Sequence, residues 1–110
     1  MKAAIFHPKA RLALQGFPED VRRELGKAIF DLQKGHKLSM PVSKPMPSVG
    51  KGVEELRVKD SSGAYRVFYY TRLHDIILVF HAFQKKAQKT PMHEITLGQK
   101  RLKELTDEKI

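Results

Sequence analysis

Between Glu55 and Phe83 the chain carries three extended-strand patterns in close succession, and this run constrains the fold more than any other feature. Glu55 to Lys59 alternates apolar and charged residues, as a strand with one covered face does. Asp60-Ser61-Ser62-Gly63 is a turn by composition. Tyr65 to Thr71 is rich in aromatic and β-branched residues, and Ile76 to Phe83 is almost continuously apolar, as a well-covered strand is. Leu73-His74 is the candidate tight turn between those two. Strands joined by short turns pair antiparallel, so the sequence predicts a meander.

Register then places the charges. With Asp60–Gly63 closing the first hairpin, Lys59 faces Ala64. Val58 then opposes Tyr65 and Leu56 opposes Val67, which makes two apolar cross-strand pairs. On the other face Arg57 falls opposite Arg66. A two-residue turn at Leu73-His74 would set Val67 opposite Phe80, Tyr69 opposite Leu78 and Arg66 opposite His81. The expectation is a cationic row, Arg57–Arg66–His81, across three strands. Like charges placed opposite one another cost roughly 0.2–1 kcal/mol, so such a row asks for an anion. Glu55, two residues from Arg57 on the same face, could instead be a structural partner, with the second arginine solvated. Phe68, Tyr70 and Phe83 share this face, where they could stack bases or pack under a helix.

The flanking segments complete the order β-α-α-β-β-β-α. Lys2 to Phe6 reads as an edge strand. Pro8 suits the first turn of a helix over Lys9–Gln15, with Gly16 as its cap. Pro18-Glu19-Asp20 opens a second helix, and Val21, Leu25, Ala28, Ile29 and Leu32 form its apolar stripe up to Gly35. Lys37 to Gly52, with three prolines and two glycines, reads as a long loop with a functional or partner-ordered role. Thr90 and Pro91 open a last helix supported by Ile95, Leu102 and Leu105, with Gly98 a weak point. The predicted class is α+β: an N-terminal helical hairpin packed on a small twisted antiparallel sheet, with a C-terminal helix. At 110 residues this is one domain, 1–110.

Charge supplies the first functional constraint. Lys and Arg number 21 against 12 Asp and Glu, a formal +9 that favours a polyanion, either nucleic acid or an acidic protein. Gln84-Lys85-Lys86-Ala87-Gln88-Lys89 concentrates that charge where the last strand meets the last helix, whose N-terminal amides favour phosphate. There is no cysteine, no Walker-type loop and no metal-ligand spacing among His7, His36, His74, His81 and His93. No apolar run is long enough to span a membrane, so the default expectation is a soluble cytoplasmic protein.

Three blocks carry a family resemblance: Lys44 to Val58, Gly63 to Tyr69, and His81 to Pro91 with its Phe-Gln-Lys-Lys-x-x-Lys-Thr-Pro pattern. They resemble the phage-related HigB-like branch of the RelE/HigB toxin superfamily, in the same order and spacing. The resemblance implies a RelE-like fold and a type II toxin that cuts mRNA, usually on the ribosome. It implies attack of a 2′-OH on the adjacent phosphate without metal or other cofactor. It also implies a helix-turn-helix antitoxin of HigA type as partner. Arg57, Arg66 and Lys86 match basic positions of the family, and Lys85 and Lys89 belong to the motif of this branch. With roles assigned from charge, Arg57, Arg66, Lys86 and His81 are the candidate catalytic residues, and Lys85, Lys89, Gln88 and Lys59 the candidate RNA-binding ones. The chain departs from RelE-type toxins in two places. Its C-terminal segment has no tyrosine, and Glu55 stands where RelE has a lysine. The general acid and base are therefore unassigned, and a non-catalytic RNA- or ribosome-binding module with this fold is the alternative.

Overall fold

The computed structural model describes residues 1–86 and 88–109; Ala87, inside the basic segment, lies outside them. The elements run β1 (Ala3–Phe6), α1 (Pro8–Gln15), α2 (Glu19–Gln33), β2 (Ser43–Pro45), β3 (Val53–Asp60), β4 (Gly63–Leu73), β5 (Ile76–Lys85) and α3 (Met92–Lys109). The α+β class is as expected. The strands form one sheet in the spatial order β1-β5-β4-β3-β2.

The sheet is mixed, not wholly antiparallel. β1 runs parallel to β5, from Ala3 opposite Ile76 to Phe6 opposite Val79. Both N-terminal helices and the meander intervene between these strands, and only such a long crossover allows parallel pairing. The segment read as a loop also contains a strand. β2 pairs antiparallel with β3, Ser43 opposite Leu56 and Pro45 opposite Glu54.

Local chemistry explains the helix starts. Pro8 occupies the first position of α1, where a missing N–H costs nothing, and His7 Nδ1 accepts the Lys9 amide at 3.1 Å. Glu19 and Asp20 fill the first turn of α2, against its positive dipole end. The α2 stripe Val21, Leu25, Ile29 and Leu32 is buried against Leu56, Val67 and Ile77 on one sheet face. On the other face α3 buries Leu105 against Phe68, Leu78 and Phe80. Gly98 proves to be the point of closest approach: a Cβ there would meet the Phe68 ring at 2.7 Å and Val49 at 3.2 Å. The helix tolerates that glycine because nothing larger fits between it and the sheet.

The first hairpin has the expected register, with Lys59 opposite Ala64, Val58 opposite Tyr65 and Arg57 opposite Arg66. The second does not. Its turn is His74–Asp75, with Leu73 opposite Ile76, and Asp75 takes a left-handed φ of 57°. A turn placed one residue early displaces the partners of Arg66 and Val67 by two and, past the irregularity at Phe68/Tyr69, that of Tyr69 by one. Arg66 therefore faces Phe83 and not His81, Val67 faces Ala82 and not Phe80, and Tyr69 faces Val79 and not Leu78. Irregularities between Phe68 and Tyr69 and between Tyr70 and Leu73 change the facing of residues along the pair. Leu78 and Phe80 consequently pack on the α3 side, away from Val67 and Tyr69. Both sides of β5 are covered, so its run from Ile76 to Phe80 is apolar throughout and carries no alternation that could reveal a bulge.

Candidate active site

The face that carries the arginines is organised in three transverse rows. Lys59, Ala64 and Lys85 make the outer row; Arg57, Arg66 and Phe83 the middle one; Lys44, Glu55, Phe68 and His81 the inner one. Helix α3 covers the Phe68 and His81 end of the inner row, through Gly98 over Phe68 and through Glu94 and Arg101 to His81. The remainder of the face presents cations from four adjacent strands: Lys44 of β2, Arg57 and Lys59 of β3, Arg66 of β4 and Lys85 of β5.

Two of these cations share a buried carboxylate. Arg66 Nε lies 3.4 Å and Arg57 Nε 3.9 Å from Oε1 of Glu55, whose side chain is 3% exposed. The second oxygen, Oε2, accepts the Thr90 hydroxyl at 3.3 Å. Arg66 Nη1 donates to the Tyr65 carbonyl at 3.2 Å. Among the described residues neither buried Nε–H has a hydrogen-bond acceptor, although both lie within ion-pair reach of Glu55. Glu55 therefore compensates both groups by charge at ion-pair distance, without a hydrogen bond to either Nε–H.

Burial pulls the Arg66 guanidinium below its usual range; Glu55 opposes the shift and Arg57 adds to it. An arginine so shifted is still a cation at neutral pH. Burial likewise holds the Lys85 ammonium down, with Arg66 next in effect and Arg57 and Lys44 adding, against Glu55. Lys85 ends β5 opposite Ala64. Together with Arg66, Lys86, Gln88 and Ala64 it lines an open depression of about 390 Å³. Of the expected RNA-binding residues, Lys85 and Gln88 thus join Arg66 and Lys86. Lys59 is exposed in the outer row, and Lys89 is exposed beyond the lining of the depression.

His81 is placed differently from the expectation. It is 2% exposed, and its ring lies 5.4 Å from that of Phe68 and 5.3 Å from that of Phe83. Arg101 Nη1 donates to Nδ1 at 2.6 Å, which leaves Nε2–H to donate to Glu94 Oε1 at 2.7 Å. Burial pushes this imidazole down from its ordinary value, the Glu94 hydrogen bond pulls it up, and Arg101 pushes it down again. The outcome is a neutral ring with both nitrogens engaged, fastening β5 to α3.

Sequence reasoning missed Lys44, which lay in the supposed loop, and the Thr90–Glu55 contact between residues 35 apart. It also missed Glu94 and Arg101 as partners of His81. No local pattern announces such contacts; only the docking of α3 creates them.

Comparison with known proteins agrees with this architecture. No curated protein matches the chain. The isolated RelE toxin of E. coli superposes with a TM-score of 0.55 at 16% identity, over 93% of this chain and 99% of that one. A chain of the intact E. coli RelBE toxin–antitoxin complex matches with a TM-score of 0.50 at 17% identity, over 79% of this chain and 100% of that one. At such identities the likeness concerns the fold. A family profile described as phage derived protein Gp49-like matches residues 13–103. With that match over most of its length, and a fold like that of RelE, the chain belongs to the Gp49-like family of phage-derived proteins.

Proposed function

We propose that this protein is the toxin of a toxin–antitoxin pair, and that it cuts mRNA on the open half of its arginine face. The observation that carries the reading is the convergence of Lys44, Arg57, Arg66 and Lys85 from four neighbouring strands. A scissile phosphate fits there. Arg66 and Lys86 would stabilise the charge that grows on the phosphate as a 2′-OH attacks it. Arg57 would align the backbone. Lys85, held below the usual lysine range by burial and by Arg66, would add its charge beside the phosphate. His81 contributes by holding α3, since neither ring nitrogen is free. Lys59, Gln88 and Lys89 extend the basic surface along the RNA. The resemblance to HigB-like toxins supports a metal-independent reaction, a ribosome-bound substrate, a helix-turn-helix antitoxin of HigA type and a cytoplasmic setting.

Induced expression is expected to arrest growth, and Arg66→Ala or Lys86→Ala to abolish the arrest. Incubation with translating ribosomes should create new RNA 5′ ends. Growth arrest by an Arg66→Ala/Lys86→Ala double variant as strong as that by the parent would refute the site. The absence of a tyrosine after Tyr70 favours one other reading, a non-catalytic RNA- or ribosome-binding module. Ribosome binding without new 5′ ends would select it.

A further inference from the structure

We propose that Glu55 is a positioning residue: one buried carboxylate sets the two arginines and the lysine-bearing segment 85–90 against each other, without touching RNA. This role presupposes the RNA-cleaving reading above, but the geometry behind it can be tested without any reaction.

Glu55 stands on β3 between Lys44 and Phe68. Its two oxygens divide their work. Oε1 faces Nε of Arg66 at 3.4 Å and Nε of Arg57 at 3.9 Å. Oε2 receives the Thr90 hydroxyl at 3.3 Å. A guanidinium is a rigid plane, so holding its Nε edge aims its Nη edge. For Arg66 a second fixed point exists, Nη1 on the Tyr65 carbonyl. Segment 85–90 is pinned at both ends, by Lys85 paired with Ala64 and by Thr90 on Glu55. Lys86 and Lys89 lie between those pins. Remove the carboxylate charge, and Arg57 and Arg66 face one another as unscreened like charges across a strand pair.

Burial separates this role from that of a general base. The Glu55 side chain is 3% exposed, so it has little surface to offer a ribose hydroxyl. Its charge also cancels part of the local cationic field. When a residue that weakens anion binding yet sharpens geometry is neutralised, kcat should fall while KM does not rise.

The experiment uses the full chain with mRNA on translating ribosomes, and compares the parent with Glu55→Gln, Glu55→Asp and Thr90→Val. Misplacing catalytic groups by about 1 Å costs up to ~10²-fold in rate, which sets the expected loss of kcat for Glu55→Gln. Its KM should stay equal or fall, and the shape of its pH profile should persist. Glu55→Asp should recover part of the lost turnover, and Thr90→Val should lower kcat less than Glu55→Gln does. An unchanged kcat in Glu55→Gln, or a raised KM as the sole effect, overturns the proposal. Loss of one limb of the pH profile also overturns it, in favour of a general base. A second measurement needs no RNA: nitrogen-resolved NMR of the arginine Nε–Hε groups. Both signals, of Arg57 and Arg66, should exchange faster in Glu55→Gln, and their persistence unchanged would refute the positioning role. If the parent cuts no RNA, the proposed function fails, while the NMR comparison still decides what Glu55 holds.

Discussion

The same substitution, glycine to alanine, should have opposite signs in α2 and α3. In α2, Gly26 has open space where a Cβ would go. Alanine is favoured over glycine in a helix interior by about 1 kcal/mol, so Gly26→Ala should stabilise by about that amount. In α3, a Cβ on Gly98 would lie 2.7 and 2.9 Å from two Phe68 ring carbons and 3.2 Å from Val49. Phe68 cannot turn aside: it is fully buried and packed against Phe80, His81 and Phe83. Overpacking a tight core typically costs about 1–3 kcal/mol, which exceeds the propensity gain of about 1 kcal/mol. Gly98→Ala should therefore lose about 1 kcal/mol net. With a urea m-value of about 2 kcal/mol/M, that is a fall of roughly 0.5 M in the unfolding midpoint. Equilibrium urea denaturation followed by circular dichroism measures both variants. A Gly98→Ala protein as stable as the parent would show that α3 does not seat on Phe68 as described.

Arg66→Ala should lower RNA cleavage by about 10²–10³-fold, the usual cost of losing one charge-stabilising donor, and single-turnover kinetics would show it; a smaller loss with raised KM would make Arg66 a binding residue only. His81→Ala should cost about 1–3 kcal/mol of stability, because Glu94 and Arg101 lose their partner, while the pH profile of cleavage keeps its shape; a vanished limb would return the imidazole to the chemistry. Tyr69 should make stability fall at high pH: burial, opposed by the Ser43 hydrogen bond and aided by Glu54, carries its phenol from 10.0 to about 12. The folded state keeps the proton that the unfolded state releases, so stability is full below the unfolded value and is lost between pH 10 and about 12. Tyr69→Phe should remove that component, and an unaltered alkaline transition would show that the phenol titrates normally.

Legibility in the sequence followed local chemistry. The first hairpin could be read because Asp60–Gly63 is an unmistakable turn and Glu55–Lys59 alternates, so two independent signals fixed one register. The second could not. Leu73, His74 and Asp75 offer two adjacent turns, and the apolar run Ile76–Phe83 is indifferent to which is used. Arg57 opposite Arg66 therefore stood where expected, while His81 moved out of the row and under α3. Lys44 was hidden by Pro41, Pro45 and Pro47 nearby, which make the segment look irregular although Ser43–Pro45 pairs with β3. Glu55 was noticed as a neighbour of Arg57; its hold on Arg66 and Thr90 depends on strand pairing and on the seat of α3.

The cations of this face are graded in their access to water, and ionic strength will treat them differently. Lys44, Lys59, Lys86 and Lys89 are exposed, Lys85 is half-buried, the Arg57 side chain is 27% exposed and that of Arg66 8%. At physiological ionic strength charges in water are screened over about 8 Å, whereas buried ones are screened much less. Capture of a polyanion by the outer lysines thus belongs to the salt-sensitive part of the encounter. The grip of Arg66 on whatever reaches the middle row belongs to the part that salt barely touches. One sheet face, through depth alone, separates how fast an anion arrives from how firmly it is aligned.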